Sequence, residues 1–278
     1  MVTFVYKKKL FTQLFVTTMK HYALSIMMLL SGISPLAAQD TPKTKVIAHR
    51  GYWDCPGSAQ NSISALRNAA EAGVYGSEFD VQITGDTVAI VNHDNTIDGI
   101  LIGETPFRKI KKVKLKNGEK VPTLKQYLKT GKKYPALKMI LEIKPHPTQV
   151  QEKAAVAQVV KLVKELDMED QVEYISFSKY ICEQLHEALP EAQVAVLTEH
   201  VTPQQAKEIG LTGVDYHYDV FRKNPAYMGY CKNAGLTTNV WTVNKPDVMQ
   251  EFIDLNVDYL TTDKPAEAQK LVDQKHKK

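Results

Sequence analysis

Short apolar segments rich in β-branched residues alternate with longer amphipathic segments along most of the chain. Nine apolar segments predict strands at 45–49, 75–83, 88–92, 139–143, 172–177, 193–197, 213–217, 238–243 and 258–261. Helical patterns lie between most of them, at 62–72, 150–166, 180–188, 203–209, 225–234, 246–255 and 265–274. Several of these have proline in or beside the first turn, which favours a helix start there.

The order of these segments predicts a barrel. Strands separated by helices of this length form right-handed βαβ units and a parallel sheet. The second and third strands are joined only by Thr84-Gly85-Asp86-Thr87, a turn too short for a parallel crossover, so 88–92 should fold back antiparallel on the end of 75–83. Eight parallel strands remain. They predict an α/β fold, a (β/α)8 TIM barrel with a β-hairpin at its C-terminal mouth. A doubly wound open sheet is the alternative.

Residues 95–133 interrupt the alternation of strands and helices. They are rich in lysine and irregular until a short helix predicted at 124–128. We interpret 95–120 as a small insertion between the hairpin and the third barrel strand, at the same mouth of a single domain that covers 39–278.

The first forty residues have the pattern of an export signal. A short basic stretch at Lys20 and His21 precedes an apolar run over 22–30, and small residues follow up to Ala38. We therefore predict a signal peptide over 1–38, cleaved near Ala38, and a secreted or periplasmic protein. The apolar run is shorter than the roughly 20 residues that cross a bilayer. No stable membrane span is expected after cleavage, and a retained anchor is the alternative.

Charge and cysteine content add two exclusions. Four of the 35 Lys and Arg residues lie in 1–38, which has no acid, so the rest of the chain carries 31 basic and 31 acidic residues. A neutral body is not expected to bind nucleic acid, which needs a basic face. Cys55, Cys182 and Cys231 are too few for a disulfide framework. They are predicted to be structural, with at least one unpaired.

Three acidic residues lie where the second and third barrel strands end. Glu78 and Asp80 are two residues apart on one strand, so both side chains leave on the same face. Glu142, from the next barrel strand, can lie beside them. Three crowded carboxylates repel one another unless a cation or protons intervene. Oxygen ligands favour one hard divalent cation, Mg²⁺ or Ca²⁺.

Two histidines and two cations are predicted at the same mouth. His49 and His93 each follow a strand, and imidazoles on either side of a metal cluster suggest an acid–base pair. Arg50 and Lys144 add positive charge, and a metal with both cations would neutralise the oxygens of a phosphoryl group. Trp241 offers an apolar wall for a small alcohol, or else packs in the core.

Seven short motifs together resemble those of the glycerophosphodiester phosphodiesterases, in the same order from about residue 46 to 268. They are His49-Arg50-Gly51, Gln60-Asn61-Ser62, Glu78-Phe79-Asp80-Val81-Gln82-Ile83-Thr84, His93-Asp94, Leu141-Glu142-Ile143-Lys144, Trp241-Thr242-Val243-Asn244 and Thr261-Thr262-Asp263-Lys264-Pro265.

The resemblance implies a barrel related to phosphatidylinositol-specific phospholipases C. It also implies hydrolysis of a small-molecule glycerophosphodiester to glycerol 3-phosphate and an alcohol, with a divalent cation. By the same resemblance, Glu78, Asp80 and Glu142 match metal ligands, and His49 and His93 match the acid–base pair. Arg50 and Lys144 match phosphate-binding residues, and Trp241 matches a residue near the glycerol group.

Two positions depart from the family pattern. Gln60 stands where the family usually has Glu, which removes a negative charge near the mouth, and Gly99 stands where the family usually has Arg. The first bears on a supporting contact near the mouth, and the second bears on the insertion and the choice of substrate. Two alternatives remain open at this point: a phospholipase-type lyase that releases a cyclic phosphate, and a barrel that binds phosphodiesters without cleaving them.

Overall fold

Eleven strands and ten α-helices are present in the computed structural model, which describes residues 44–275. The strands are β1 (Lys45–Ala48), β2 (Gly76–Ile83), β3 (Ala89–Val91), β4 (Thr96–Ile97), β5 (Ile100–Leu101), β6 (Lys138–Ile143), β7 (Val172–Ser176), β8 (Val194–Val196), β9 (Gly213–His217), β10 (Thr237–Trp241) and β11 (Tyr259–Thr262).

The helices between and after these strands form the outer layer. They are α1 (Ile63–Glu71), α2 (Phe107–Ile110), α3 (Leu124–Gly131), α4 (Gln149–Glu165), α5 (Lys179–Ala188), α6 (Pro203–Glu208), α7 (Tyr218–Lys223), α8 (Ala226–Ala234), α9 (Pro246–Asp254) and α10 (Pro265–Lys275), with a 3₁₀ turn at Ile102–Glu104. Within residues 44–275, no helix is both long and apolar enough to cross a membrane.

Eight of the strands close into a parallel barrel. Strands β6 to β11 pair in chain order, β2 pairs with β6, and β1 pairs with both β11 and β2. The pairing of β1 with β2 closes the cylinder and excludes the open sheet. The predicted (β/α)8 barrel is therefore confirmed.

The predicted hairpin is also confirmed, because β3 lies antiparallel on the end of β2 with Val81 opposite Val91 and Ile83 opposite Ala89. The following residues form the small β4–β5 ladder and α2. They enclose a separate apolar cluster around Ile90, Ile102 and Ile110, which holds this segment over the end of the barrel. The predicted signal peptide lies outside the described residues.

Alternation along the strands separates the helix-facing core from the barrel interior. On β2, Phe79 and Val81 are fully buried in the cluster that joins strands and helices, and the Phe79 ring lies 4.5 Å from that of Tyr127. Burying such a side chain stabilises the fold by about 1.5–3 kcal/mol. Glu78 and Asp80 have the opposite orientation, so the strand period that builds the core also turns both carboxyl groups into the barrel.

Three helices differ from the sequence prediction by more than one residue, and the first is α2, which lies in the segment expected to be irregular. Helix α3 runs to Gly131 rather than 128, and it begins at a capping box in which Thr123 and Gln126 satisfy each other's backbone N–H groups. Helix α7 directly follows β9 and was not predicted, because six residues are too few to show a helical period.

Candidate active site

The three predicted metal ligands lie together at the C-terminal end of β2 and β6. Asp80 is in register with Glu142 on the neighbouring strand. One carboxylate oxygen from each of Glu78, Asp80 and Glu142 lies within 4.8 Å of the others, and all three residues are buried. The structure therefore shows the expected proximity of these acids. It results from side-chain alternation along β2 and from the parallel register of β2 and β6.

Positive and polar groups surround the acidic cluster. Lys144 Nζ lies 2.8 Å from Glu142 Oε1 and 3.3 Å from Asp80 Oδ1, and Arg50 Nε lies 3.7 Å from Asp80 Oδ2. Asn61 donates its amide to Asp80 Oδ2 at 2.8 Å and accepts the Asp80 backbone N–H. Asp80 is thus the best-compensated of the three carboxylates.

The pKa values of the carboxyl groups reflect this difference. Burial, followed by the negative charges of Asp80 and Glu142, raises the pKa of Glu78 well above its usual value. Burial and Asp80 raise the pKa of Glu142 to about 8. Burial acts in the same direction on Asp80, but Lys144, His93 and the Asn61 hydrogen bond outweigh it and lower the pKa of Asp80. Three crowded oxygen donors with unrelieved repulsion fit a hard divalent cation.

A tight turn after β1 places His49 and Arg50 at the cluster. Arg50 adopts a positive φ of 55° and donates its backbone N–H to Glu78 Oε2 at 2.7 Å. Gly51 follows with φ +77°, and a Cβ at that position would lie 2.7 Å from the Ala65 Cβ. Only glycine fits both the left-handed conformation and the close approach of α1, which gives Gly51 of the His-Arg-Gly motif a structural role.

His49 is held by an acidic residue from the last strand. Its Nδ1 lies 2.8 Å from Asp263 Oδ1, and Asp263 also accepts hydrogen bonds from Trp53 Nε1 at 3.0 Å and Asn244 Nδ2 at 2.7 Å. Burial alone would raise the pKa of Asp263, but these hydrogen bonds and the proximity of His49 lower it. A carboxylate fixed in this way orients the ring and leaves Nε2 free for proton transfer.

His93 reaches the site from the hairpin. Its Nδ1 lies 2.7 Å from Asp94 Oδ1, and its backbone carbonyl accepts a hydrogen bond from Gln82 on β2. Burial lowers the pKa of His93, although Asp80 and Asp94 act in the other direction. The neutral ring is therefore available at neutral pH as a proton acceptor.

Both histidines line one cavity of about 250 Å³ together with Arg50, Glu78 and Glu142. Phe177 and Trp241 form its apolar side, with ring centroids 5.6 Å apart and nearly perpendicular planes. Trp241 Nε1 donates to the Asp215 carbonyl oxygen at 3.0 Å, which fixes the indole. The cavity therefore has a charged side and an apolar side, as a small phosphorylated alcohol requires.

Comparison with known proteins decides the family. The glycerophosphoryl diester phosphodiesterase family model matches residues 49–267, nearly the whole described chain. The chain belongs to this family. Membership confirms the enzyme class expected from the motifs, a phosphoric diester hydrolase that acts on glycerophosphodiesters.

Individual relatives agree with the family match. A glycerophosphodiester phosphodiesterase of Caldanaerobacter subterraneus subsp. tengcongensis is 30% identical over 240 residues, which cover 80% of this chain and 95% of the relative. The crystal structure of a glycerophosphodiester phosphodiesterase from Parabacteroides distasonis is 44% identical, with a TM-score of 0.84, and the match covers 85% of this chain and 99% of that one. An Oleispira antarctica phosphodiesterase in complex with sn-glycerol-3-phosphate is 22% identical, with a TM-score of 0.74 and coverage of 83% and 97%.

All eight predicted site residues of this family member lie around one mouth, but the sequence did not reveal their supporting contacts. Asn61 and Asp263 were noted only as parts of motifs, and Asp94 only as the neighbour of His93. The features of the sequence that could have identified these three residues as supporting residues were their positions in the motifs and near strand ends. The Arg50 Nη1 group donates to Gln60 Oε1 at 2.9 Å, so the neutral residue keeps the hydrogen bond that a Glu would also make at this position.

Replacing Asp263 with Asn should lower kcat roughly 10–100-fold, by analogy with carboxylates that orient metal-binding histidines. Asn can still accept a hydrogen bond from His49, but it cannot stabilise an imidazolium. The loss should therefore appear in kcat, with a much smaller change in KM, because the Asp263 carboxylate holds the His49 ring. Asp247→Asn, an exposed residue in the first turn of α9, is the control. An unchanged kcat in Asp263→Asn would show that the contact has only a structural role.

Asp215 is a buried carboxyl group of the barrel interior, among the residues that line the 250 Å³ cavity. It is 2% exposed, and its Oδ1 has no hydrogen-bond partner among the described residues. Burial raises the pKa of Asp215 from 3.8 to about 8, and Asn239 offsets this only in part. Between these two values the folded protein binds the proton and the unfolded chain does not, so Asp215 makes the protein less stable as pH rises.

Asp215→Asn should stabilise the protein by at least about 1 kcal/mol at pH 8, because the carboxyl group is ionised freely in the unfolded chain but not in the folded protein, and each unit of pKa difference is worth about 1.4 kcal/mol. The gain should shrink towards pH 5, where the folded carboxyl group is protonated. Denaturant unfolding of both proteins at several pH values measures it. Asp258→Asn is the matched control, because Asp258 Oδ2 accepts two hydrogen bonds from Thr238 and its replacement should destabilise. A pH-independent difference would contradict the assignment.

Proposed function

We propose that this enzyme hydrolyses glycerophosphodiesters to glycerol 3-phosphate and an alcohol by His acid–base catalysis that depends on one divalent cation, Mg²⁺ or Ca²⁺. The observation that carries the proposal is the opening of both His49 and His93 into the cavity that contains the carboxylate cluster. The proposed product is the compound bound in the Oleispira antarctica phosphodiesterase.

The two histidines divide the proton transfers. One ring takes a proton from the nucleophile, which is either water or the glycerol 2-hydroxyl, and the other protonates the departing alcohol oxygen. If the hydroxyl attacks, a cyclic phosphate forms and water opens it in a second step. Asp263 and Asp94 each hold the Nδ1 side of one ring. The Nε2 atoms are thereby left to act on the substrate.

The remaining groups compensate negative charge. Arg50 and Lys144 lie beside the carboxylates, where they can attract the phosphate oxygens of the substrate. Glu78, Asp80 and Glu142 would hold the divalent cation, which when bound supplies Lewis-acid stabilisation of charge on the phosphoryl oxygens. Phe177 and Trp241 would exclude water from the glycerol end.

The test is turnover of several glycerophosphodiesters by purified protein with Mg²⁺, with Ca²⁺ and with chelator. Release of glycerol 3-phosphate should require one of the two cations. Phosphorus NMR distinguishes a cyclic phosphate as the final product, which would favour a phospholipase-type lyase. Binding of the diester without any turnover would favour a non-catalytic barrel and contradict the proposal.

We also propose that the protein is exported and acts in the periplasm or outside the cell. The support is the basic, apolar and small-residue pattern of residues 1–38. Cell fractionation followed by N-terminal sequencing of the mature protein tests it, with Gln39 as the expected first residue. Recovery of uncleaved protein in the cytoplasm would contradict the proposal.

A further inference from the structure

A second and larger cavity, of about 570 Å³, lies between the loop after β1 and the insertion. Arg50 and His93 line both this cavity and the 250 Å³ active-site cavity. A phosphodiester held at these two residues would therefore have one cavity for each of its alcohols. The smaller one has the apolar wall of Phe177 and Trp241 and suits glycerol, which leaves the larger one for the other alcohol.

The outer wall of the larger cavity is fixed in place by hydrogen bonds. Asn117 donates its side-chain amide to the Gly57 carbonyl oxygen at 3.2 Å and to Ser64 Oγ at 3.0 Å. The Glu119 carboxylate accepts the backbone N–H groups of Ile63 at 3.1 Å and Ser64 at 3.3 Å. The turn at 114–120 is thus joined to the start of α1, and Leu115 and Lys116 line the cavity from it.

The segment that includes this wall, residues 107–120, is strongly basic. Seven of the fourteen residues at 107–120 are Lys or Arg, and Glu119 is the only acid among them. All seven basic residues are exposed, and within residues 44–275 no ion pair is formed by any of them. The Glu119 carboxylate faces α1, where it accepts the two backbone N–H groups described above. The segment therefore carries a large excess of positive charge, and Lys116 is the basic residue of it that lines the cavity.

Both acidic residues of the cavity are held by a neighbouring side chain. Asp54 is paired with Lys264, and Asp94 Oδ1 lies 2.7 Å from His93 Nδ1. A cationic headgroup would have to compete with Lys264 for Asp54, whereas an anionic group would meet Lys116, which forms no ion pair within residues 44–275. Clefts lined by one sign of charge concentrate ligands of the opposite sign.

We propose that the 570 Å³ cavity receives the alcohol half of the diester and favours an alcohol that itself carries negative charge, such as a phosphorylated polyol. The inference rests on the proposed function, because it assumes that the scissile phosphate lies at Arg50 and His93. It adds a substrate class to that function and assigns Lys116 as a residue that determines specificity.

The kinetic test compares glycerophosphoinositol with glycerophosphoinositol 4-phosphate, which differ by one phosphate group on the headgroup, and with glycerophosphocholine. At low salt, kcat/KM for the phosphorylated substrate should be at least about tenfold higher, the lower end of the range for electrostatic steering. Lys116→Glu should remove most of this preference, and Lys129→Glu, an exposed residue of α3, should leave it unchanged. Equal or better turnover of the neutral or cationic diester would overturn the inference while leaving the proposed function intact.

Alkylation of Cys55 tests the charge of the cavity without catalysis. Cys55 lines the cavity and is partly exposed, whereas Cys182 and Cys231 are fully buried. The quantity to measure is the rate constant for alkylation of Cys55 by iodoacetate divided by that for iodoacetamide. Both reagents react with the same thiolate, so the degree of thiol ionisation does not affect this ratio. This ratio should exceed that of a small free thiol and should fall in Lys116→Glu. A ratio at or below that of the free thiol would overturn the inference even if no diester is turned over.

Discussion

Replacing His49 with Asn should lower kcat by ~10²–10⁴-fold, the usual contribution of a positioned acid or base. The Asn amide can still donate to Asp263, which accepts Nδ1 of the native ring at 2.8 Å, so the local structure should survive. What is lost is the Nε2 side of the ring, which faces the cavity and is the only part that can exchange a proton with substrate. Steady-state kinetics with glycerol 3-phosphate release as the readout measures the effect.

The same argument applies to His93, whose contact with Asp94 an Asn side chain can imitate. Each single replacement should remove nearly all activity, because neither ring can perform both proton transfers in one step. His186→Asn is the matched control, since His186 lies in the last turn of α5 on the outer layer. Circular dichroism and the melting temperature should be unchanged in all three variants. Full activity in either His49→Asn or His93→Asn would remove that residue from the acid–base pair.

The barrel and the proximity of the three acids could be predicted from the sequence, because both follow from periodic patterns. A strand repeats every two residues, so Glu78 and Asp80 had to share a face. The parallel register of neighbouring strands then brought Glu142 beside Asp80. The turn at Thr84-Gly85-Asp86-Thr87 identified the hairpin, because its length excluded a crossover.

The contacts that orient the histidines could not be predicted from any periodic pattern in the sequence. His49 and Asp263 are separated by 214 positions and meet only because the first and last strands pair when the barrel closes. The wall of the larger cavity was even harder to predict from the sequence, because Asn117 and Glu119 contact the start of α1 from an irregular segment. Such loop contacts depend on tertiary structure, and the excess of lysine was the one property of the insertion visible in the sequence.

The last prediction concerns Glu78, the acid whose replacement should disturb the protein least in the absence of metal. Burial and the neighbouring acids raise its pKa well above the usual value, so a negative charge on Glu78 is costly in the metal-free protein, and a Gln carbonyl oxygen can still accept the Arg50 backbone N–H. Glu78→Gln should therefore leave the melting temperature without metal almost unchanged. It should nevertheless weaken cation binding, because one anionic ligand is lost at a site where burial strengthens every charge interaction.

Thermal unfolding with and without Mg²⁺ or Ca²⁺ separates these effects. A cation at 100 times its Kd stabilises the folded protein by about 2.7 kcal/mol, which corresponds to a Tm increase of roughly 5–10 °C for a chain of this size. Glu78→Gln should lose most of this increase. Activity should fall on the order of 10²–10³-fold, because a cation supplies several kcal/mol of transition-state stabilisation. Glu152→Gln, a buried acid outside the cluster, should retain both the metal-dependent Tm increase and the activity. If Glu78→Gln keeps both as well, Glu78 is not a ligand, and the cation must be held by Asp80 and Glu142 without it.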